Sequence, residues 1–369
     1  MPASAQPLDG FRVVDAALFV SGPWAAMMLA DLGADVVKVE PPGGDAYRRY
    51  GRVEDGMGVS FANVNRNKTS VVIDLKADGG RDEMLALVRG ADALITNWRP
   101  GVAEQLGLCA ADLHSANPGL VWCRVSGFGP DGPLAGTPAF DTVIQARSGT
   151  MFVQGDADRP EPVRGYVADK VAAMFAAQSV LAALVARGRH GTGSVVDVPM
   201  LDALAYFNGP DMMLERTRLD DEDRDAVSPQ LRAVRCIPAS DGWLLVSPVR
   251  GKQLKGLVAA AGHPEWIDRF RAEGDAAART SQIYDLTATV TPSDSTEVWL
   301  RRFAEHDVPA APVLDIDAHL ADPQVDHNST YVVYEHPRLG KIRQPRHPAR
   351  WDGGTMAPDP SPAPDLPPG

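Results

Sequence analysis

The stretch FRVVDAALFVSGPWAAMMLADLGADVVKVE, residues 11–40, decides the fold class. Residues 11–16 are predicted to form a buried strand, and residues 24–32 carry small and apolar side chains at helical spacing after Gly22 and Pro23. Residues 35–40 then form a second run of strand length. A strand, a helix and a strand in this order predict a βαβ unit with two parallel strands.

The same alternation continues beyond this unit and predicts an α/β fold, a Rossmann-like large domain with a mostly parallel sheet and helices on both faces. The dinucleotide fingerprint G-x-G-x-x-G is absent from the first strand–helix turn, FVSGP at residues 19–23, which argues against a nicotinamide or flavin dehydrogenase. The further predicted elements are strands at 71–75, 92–96, 120–126 and 194–199, and helices at 80–89, after Pro100-Gly101 and at 169–187.

The later part of the chain indicates a smaller α+β domain. A hairpin is predicted around the turn at residues 240–242, because Ser-Asp-Gly stands between two apolar runs. Helices are expected near 252–261, 281–289 and 293–306. The predicted parts are a large domain at 1–214, a charged linker at 215–230, a small α+β domain at 231–308, a return to the large domain at 309–354, and a tail at 355–369 whose six prolines predict a disordered or extended chain.

The composition excludes several classes of function. Against 36 Lys and Arg residues stand 48 Asp and Glu, and the net charge of −12 argues against a nucleic-acid partner, since backbone binding needs clustered cations. Three scattered cysteines and eight histidines without ligand spacing predict no metal site and no disulfide framework. The apolar run at 171–186 is shorter than the roughly 20 residues of a membrane span. With no secretory signal at residues 1–10, these features predict a cytoplasmic protein without a membrane partner.

Three candidate sites each allow two interpretations from the residues alone. Asp169, at the start of the long apolar helix, is either a first-turn acid that caps the helix or a carboxylate nucleophile held at a buried helix start. The motif NWRPG at 97–101 follows a strand and opens a helix, where parallel sheets bind ligands; alternatively, Trp98 packs in the core and Arg99 pairs with a carboxylate. The motif RNK at 66–68 is either a solvated turn or part of an anion cradle.

Five motifs, taken together and in order, are similar to those of one enzyme family. They are PLDG at 7–10, LGADVVKVEPPGGD at 32–45, NRNKTS at 65–70, NWRPG at 97–101 and SGFG at 126–129. The series resembles the class III CoA-transferases, a family that includes formyl-CoA and carnitine CoA-transferases and α-methylacyl-CoA racemases. The resemblance runs from about residue 7 to 200 and resumes near 309 to 350.

The resemblance implies a two-domain subunit, an interlocked homodimer, and CoA lying across the large domain. It also implies an aspartate that attacks the acyl-CoA thioester, and Asp169 in YVAD stands at the matching position. No cofactor is implied beyond coenzyme A as a cosubstrate. The CoA-binding positions that the resemblance implies are Val20, Ser21, Ile73, Asp74, Leu75, Lys76, Asn97, Trp98, Arg99, Phe140 and Asp141.

The chain departs from the family pattern at several positions. Val20 stands where transferases often have glutamine, an arginine expected near Pro41 or Gln105 is missing, and residues 216–230 contain no glycine-rich loop, which argues against a formyl or oxalyl substrate. The racemase branch has a His-Asp pair at the position of Phe140 and Asp141, and phenylalanine cannot exchange a proton. The sequence therefore predicts an acyl-CoA:carboxylate CoA-transferase that works through an aspartyl-CoA thioester. A 2-methylacyl-CoA racemase and a non-catalytic CoA-binding protein are the alternatives.

Overall fold

The computed structural model describes residues 6–155, 158–220, 235–269, 276–351, 354–355 and 360–367. The chain divides into two compact units. The first unit contains Met1–Asn208 and His327–Gly369, and the second contains Gly209–Asp326.

A six-stranded parallel sheet forms the centre of the first unit. The strands in the N-terminal part of this unit are β1 (Arg12–Asp15), β2 (Asp35–Glu40), β3 (Val53–Glu54), β4 (Met57–Gly58), β5 (Lys68–Val72), β6 (Ala93–Thr96), β7 (Val121–Ser126) and β8 (Ser194–Pro199). The sheet order is β5-β2-β1-β6-β7-β8, and every pair in it is parallel. The strand order reverses between β1 and β6, which makes this the topological switch point of the sheet. The predicted α/β fold with a parallel sheet is confirmed.

Helices cover both faces of this sheet. They are α1 (Ser21–Asp31), α2 (Val59–Asn65), α3 (Gly80–Arg89), α4 (Val102–Gln105), α5 (Ala110–Ala116), α6 (Asp141–Arg147), α7 (Thr150–Gln154), α8 (Val167–His190) and α9 (Met200–Met212), with a 3-10 helix at Ala46–Arg49. One apolar cluster packs α1 and α8 against the sheet through residues such as Leu29 and Ala172. The other packs α3 and α5 against the opposite face around Trp122.

The strand β5 begins earlier than the sequence predicts, at Lys68 rather than at residue 71. Lys68 pairs with Val36 of β2, and its ammonium group is fully buried. A buried lysine has no apolar signature, so the sequence pattern cannot distinguish it from a polar turn. Sequence reasoning also missed α2 and the 3-10 helix at Ala46–Arg49.

The long helix α8 packs against α1, β7 and β8. Its inward face is made of small residues such as Ala172 and Ala176, which allow close approach to α1. Within the described residues, α8 alone has the length and hydropathy that a membrane crossing requires, a property that core helices share. The opposite side of α8 carries exposed apolar residues, among them Met174 and Val185. The sequence predicts a helix that is buried on nearly every face, but α8 is buried on one face only.

The second unit is a small α+β structure. Its three strands β9 (Cys236–Pro238), β10 (Trp243–Val246) and β11 (Ala310–Pro312) form an antiparallel sheet in the order β11-β10-β9. Its helices are α10 (Gly251–Ala260), α11 (Trp266–Arg269), α12 (Ala276–Val290), α13 (Thr296–Glu305), α14 (Ile316–Leu320) and α15 (Pro323–His327), with a 3-10 helix at Thr291–Ser293. Trp299, Phe303 and Leu257 lie at the centre of its core.

The boundaries of the two units differ from the predicted ones. The sequence places the end of the large domain at 214 and its resumption at 309, whereas the second unit extends over Gly209–Asp326. The physical reason is β11, which pairs with β10 and keeps the chain in the second unit after residue 309. Most of the predicted linker, residues 221–230, lies outside the described residues.

The C-terminal part of the first unit contains a hairpin and a docked tail. The hairpin is formed by β12 (Tyr331–His336) and β13 (Gly340–Pro345), followed by β14 (Arg350–Trp351) and β15 (Gly354–Thr355). Residues 360–367 have no regular secondary structure but are held on the first unit. The Ser361 amide donates to Asn67 Oδ1 over 2.7 Å, and Arg48 Nη2 donates to the Pro364 carbonyl over 3.0 Å. Of the two predictions for the tail, a disordered or an extended chain, disorder is therefore wrong for residues 360–367.

Candidate active site

Two loops meet at the switch point between β1 and β6, where ligands bind in open α/β sheets. One loop connects β1 to α1, and the other, residues 97–101, connects β6 to α4. Asn97 joins them with two hydrogen bonds: its Oδ1 accepts from the Leu18 amide over 2.9 Å, and its Nδ2 donates to the Leu18 carbonyl over 2.7 Å. Asn97 therefore fixes the shape of the loop that leads into α1.

Asp169 lies in the first turn of α8, beside the start of α1. Its carboxylate accepts a hydrogen bond from the Ser21 hydroxyl, and its backbone amide donates to Asp141 Oδ2 over 3.0 Å. The N-cap residue of α8 is Tyr166, which makes no side-chain cap. The Asp169 carboxylate thus contacts a side chain of another helix, and this geometry favours the nucleophile over the helix cap.

The backbone at Asp169 is held by a chain of hydrogen bonds from α6. Asp141 Oδ1 accepts from Gln145 Nε2 over 2.5 Å, and Gln145 Oε1 accepts from the Val163 amide over 3.0 Å. Both Asp141 and Gln145 are buried. The loop before α8 and the first turn of α8 are thereby tied to one helix, so the nucleophile candidate stands on a rigid support.

Burial and, to a smaller extent, the negative charge of Asp141 raise the pKa of Asp169 to about 7, although the Ser21 hydrogen bond lowers it in part. Near neutral pH the side chain therefore exists as both acid and carboxylate. A carboxylate with few solvating partners is a stronger base and nucleophile than one in water. Groups with such shifted pKa values concentrate at functional sites.

Five aromatic side chains form one cluster, which we call the aromatic group: Phe19, Tyr47, Tyr50, Phe140 and Tyr166. The ring of Phe19 lies 5.9 Å from that of Phe140 and 6.0 Å from that of Tyr47, and Tyr47 stacks on Tyr50 at 5.5 Å. A hydrogen bond with Tyr50, together with burial, raises the pKa of Tyr166 to about 12, so this phenol stays neutral. The Asp169 charge also acts on Tyr47 and Tyr166, which places both tyrosines near the carboxylate.

Sequence reasoning found Phe140 but missed the other members of the aromatic group. They come from the β1–α1 loop, the 3-10 helix at Ala46–Arg49 and its C-cap, and the residue before α8. No spacing in the sequence relates these positions. The one available signal is weak: Tyr47 and Tyr50 are aromatic residues in a segment otherwise rich in Gly and Arg.

A buried charge network of Lys38, Asp15 and Asp45 holds the β1–α1 loop. Lys38 Nζ lies 3.1 Å from Asp45 and 3.7 Å from Asp15, and it donates to the Ala17 carbonyl over 2.9 Å. The Asp45 carboxylate in turn accepts from the Phe19 amide, and Phe19 has a φ of 64°, a backbone conformation that non-glycine residues rarely adopt. The network therefore holds a strained residue two positions before Ser21.

The RNK motif at 66–68 is neither a solvated turn nor an anion cradle, so both interpretations of it are wrong. Arg66 forms a buried pair with Asp31 at 2.6 Å, and Lys68 Nζ lies 2.8 Å from Asp15 with no exposed surface. Asn67 has a φ of 60° and binds Asp31 and the tail. All three side chains serve the packing of the first unit.

The predicted CoA-binding positions lie along the carboxyl ends of the strands, but with different accessibility. The Val20 side chain is buried among Met57 and Phe61, so it packs in the core. Trp98 donates from Nε1 to the Ala16 carbonyl over 2.9 Å and packs on the α3–α5 face, as its structural interpretation expects. Positions 73–76 follow β5, where Ile73 is buried, Leu75 is half-buried, and Asp74 and Lys76 are exposed.

Arg99 is exposed and forms no ion pair within the described part of the chain, so the predicted pairing with a carboxylate is not observed. It lines a pocket of about 80 Å³ together with Trp98, Trp122 and Arg124. Arg124 itself is paired with Asp197 at 2.7 Å. Arg99 is therefore an available cation at the edge of the sheet where a ligand would enter.

The model of CoA-transferase family III matches residues 8–367. The chain belongs to CoA-transferase family III. It is 32% identical to the succinyl-CoA–D-citramalate CoA-transferase of Chloroflexus aurantiacus, over 92% of this chain and 86% of that one, and 32% identical to the acetyl-CoA:oxalate CoA-transferase of Acetobacter aceti, over 94% and 90%. The crystal structure of Rv3272 from Mycobacterium tuberculosis superposes with a TM-score of 0.84 at 28% identity, covering 98% of this chain and 97% of that one.

Membership of the family confirms the resemblance that the sequence motifs indicate, and this protein is an enzyme that transfers CoA. Within the described ranges, no three His, Cys, Asp or Glu side chains are grouped as metal ligands. The interlocked dimer and the individual CoA contacts stay predictions.

Proposed function

We propose that this enzyme is an acyl-CoA:carboxylate CoA-transferase in which Asp169 is the nucleophile. The observation that carries the proposal is the position of the Asp169 carboxylate. It is half-buried at the switch point of the sheet, is bound by the Ser21 hydroxyl and is not used as a helix cap. Relatives that transfer CoA between carboxylic acids support the same reaction class.

The reaction proceeds in two halves. The Asp169 carboxylate attacks the thioester carbonyl of the donor, the C–S bond breaks, and the acyl group passes to Asp169 as a mixed anhydride while CoA leaves as a thiolate. The thiolate then attacks the aspartyl carbonyl and expels the donor acid as a carboxylate, which leaves an aspartyl-CoA thioester. The acceptor carboxylate attacks this thioester, and the same steps in reverse produce the new acyl-CoA and free Asp169.

The residues around Asp169 supply positioning and charge stabilisation. Ser21 donates to the side chain of Asp169, so it can stabilise the oxyanion that develops when the thiolate attacks the aspartyl carbonyl. Asp141 and Gln145 hold the backbone of the nucleophile. Because CoA stays bound throughout, the thiolate attack is effectively intramolecular, and such steps gain several orders of magnitude in effective concentration.

CoA is proposed to bind along the carboxyl ends of β5 and β6, in the Rossmann-like domain. Arg99 and Lys76 are exposed there and offer charge-assisted hydrogen bonds to phosphate groups. Val20 and Trp98 would contribute through their backbones, since both side chains serve the core or its rim. Phe140 directly precedes Asp141, which binds the Asp169 amide, and we place the acyl end of the thioester near its ring. We further propose an interlocked homodimer in the cytoplasm, as the resemblance implies.

The test is a covalent adduct on Asp169. Incubation with acetyl-CoA, succinyl-CoA and 3-phenylpropionyl-CoA, followed by peptide mass spectrometry, is expected to show the added mass of CoA on the peptide that carries Asp169. Asp169→Asn is expected to remove the adduct and to lower turnover on the order of 10³-fold or more. The matched control is Asp78→Asn, a change of an exposed carboxylate that should leave both unchanged.

Two outcomes would contradict the proposal. CoA binding with no adduct and no exchange from any of these donors would favour a non-catalytic CoA-binding protein. Uptake of deuterium at the α-carbon of a 2-methylacyl-CoA, without an acceptor acid, would favour a racemase. The exposed Phe140 offers no titratable group for that chemistry.

A further inference from the structure

The docked C-terminal tail is anchored on the first unit at three points. Asn67 Oδ1 accepts from the Ser361 amide over 2.7 Å, and the Asn67 amide donates to the Ser361 carbonyl over 3.1 Å. Further along the tail, Asp365 forms an ion pair with Arg338. Between these two anchors the Ala363 side chain is buried. The anchors give the segment one defined position on the unit that carries the candidate active site.

The middle of the tail lies in the same core cluster as the residue that precedes Ser21. Ala363 belongs to a buried apolar cluster that also contains Val20 and Tyr47. Val20 is the N-cap of α1, and the next residue, Ser21, donates its hydroxyl to the Asp169 carboxylate. The cluster therefore links the tail to the start of the helix that carries this donor.

A second route from the tail to the β1–α1 loop consists of hydrogen bonds. The Pro364 carbonyl accepts from Arg48 over 3.0 Å, and the Arg48 guanidinium also binds both oxygens of Glu40 over 2.6 and 2.7 Å. Glu40 accepts from the Asp45 amide over 2.9 Å, and the Asp45 carboxylate accepts from the Phe19 amide. The three charged side chains of this route are buried, and because a buried polar group that loses its partner is costly, the route is rigid.

The loop that both routes reach has little local support. Phe19 has a φ of 64°, and a non-glycine residue keeps such a conformation only when the surrounding structure holds it. Val20 makes no side-chain cap, so the first turn of α1 is not fixed by its own N-cap. The position of Ser21 therefore depends on contacts from distant segments. Asn97 holds the loop at Leu18, and the tail reaches it at Phe19 and Val20.

We propose that Ala363 and Pro364 are positioning residues for the reaction at Asp169, because they set the place of the Ser21 hydroxyl. This inference rests on the proposed function of Asp169. A tail that only stabilised the fold would change the amount of folded enzyme, whereas a tail that positions Ser21 changes the rate at which each folded molecule reacts. Misplacing a catalytic group by about 1 Å can lower a rate about 10²-fold.

The test is a chain that ends at residue 359, compared with the wild type at a temperature where circular dichroism shows both to be folded. With the fastest donor among acetyl-CoA, succinyl-CoA and 3-phenylpropionyl-CoA, the shorter chain is expected to form the Asp169 adduct about tenfold or more slowly, and KM for the donor should change by less than about threefold. A chain that ends at Pro367 keeps all three anchors and is the matched control, which should change neither. An unchanged rate in the chain that ends at residue 359 overturns the inference.

Ala363→Asp tests the same role in a chain of full length. The substitution places a charge in the apolar cluster of Val20 and Tyr47, so it should displace the middle of the tail and slow the adduct in the same way. If the chain that ends at residue 359 does not fold, this variant decides the question by the same measurements. Failure of both proteins to fold overturns the inference, because it shows that the tail is needed for the structure as a whole.

The pH profile and a double-mutant cycle distinguish positioning from stability. The Ser21 hydrogen bond lowers the pKa of Asp169, so its loss should move the rise of the adduct rate with pH to higher pH. A chain that is only less stable keeps the profile of the wild type. Ending the chain at residue 359 should also slow Ser21→Ala by less than about threefold, because the donor on which the tail acts is already absent. An unmoved profile, or a full further loss in Ser21→Ala, overturns the inference.

The wild-type adduct separates this inference from the proposed function. If no donor forms an adduct on Asp169 in the wild type, the proposed function itself is wrong. If the wild type forms the adduct and the chain that ends at residue 359 forms it equally fast, the nucleophile assignment stands and only the positioning role of the tail is wrong.

Discussion

Asp15 and Asp169 are both shielded from water in the first unit, and their pKa values move in opposite directions. For Asp15, burial would raise the pKa, but the charges of Lys38 and Lys68 outweigh it and the pKa is lowered. For Asp169, burial raises the pKa to about 7 and no cation opposes it. Burial acts on both carboxyl groups in the same direction, so the difference comes from the neighbouring charges: two cations beside Asp15 and the negative charge of Asp141 beside Asp169. The charge of Asp15 is balanced inside the fold, whereas Asp169, the nucleophile that we propose, has no cation among the groups that shift its pKa.

The pKa values of the two lysines beside Asp15 also depend on the balance between burial and neighbouring charges. Burial lowers the pKa of both, but Lys38 faces Asp15, Asp45 and Glu40, and its pKa is raised overall. The pKa of Lys68 falls to about 8, because burial and the repulsion from Lys38 outweigh its attraction to Asp15 and Asp45. The number of opposite charges within reach decides the sign in each case.

The largest change in stability is expected when a cation beside Asp15 is removed. Lys38→Met leaves Asp15 and Asp45 buried with one cation fewer, and the free energy of unfolding should fall by about 3–5 kcal/mol. Urea unfolding at pH 7.5 measures this change. Lys76→Met, which removes an exposed lysine, should change stability by less than about 0.5 kcal/mol. A loss below about 1 kcal/mol for Lys38→Met would show that water or rearrangement compensates for the missing cation.

A smaller effect of opposite sign is expected at Asp169. Its pKa in the folded state, about 7, exceeds the ordinary aspartate value of 3.8, so the unfolded chain ionises first as pH rises. The native state therefore loses stability between about pH 4 and 7, and the loss is complete above that range. Asp169→Asn never ionises and should be more stable than the wild type by about 2 kcal/mol at pH 8, after allowance for partial exposure. At pH 3.5 the two proteins should have equal stability in thermal or urea unfolding.

The contrast with the cap interpretation makes this measurement informative. A first-turn acid that caps its helix has a lowered pKa, so Asp169→Asn would then be less stable than the wild type at pH 8. Asp78→Asn, a change at an exposed position, controls for the general effect of removing one negative charge. A destabilised Asp169→Asn at pH 8 would therefore contradict the electrostatic account of the site.

The smallest effect is expected on the pH dependence of kcat/KM when Asp141, the acidic neighbour of Asp169, is changed. In the proposed mechanism the ionised form of Asp169 is the nucleophile, so kcat/KM should rise with pH through about 7. Asp141→Asn removes a negative charge but keeps an oxygen for the Asp169 amide, and it should move this rise to lower pH. The pH profile of the first half-reaction, followed by release of the donor acid, measures the shift. An unmoved profile would assign the raised pKa to burial alone.

The sequence predicted the sheet because its signal is local. Alternating strand and helix patterns identified every strand of the parallel sheet, and the predicted bounds of β2, α3 and β8 agree with the structure. The sequence-based predictions were wrong for segments in which polar or charged groups are buried. Lys68 begins a strand as a buried cation. The tail at 360–367 docks through backbone hydrogen bonds, the Asp365–Arg338 ion pair and the buried Ala363, so neither segment has a periodic apolar pattern to detect.

The sequence by itself determined the parallel α/β sheet, the edge of that sheet where the site lies, the candidacy of Asp169 and membership of the CoA-transferase family. Only the tertiary structure supplied the contacts that favour the nucleophile over the cap at Asp169, because they come from Ser21 and Asp141, which are distant in sequence. It likewise decided that the RNK motif is buried and that four further rings cluster with Phe140. The physical reason is that periodicity reports how a segment packs, whereas a pKa and a binding surface depend on which charges and rings the fold brings within a few ångströms.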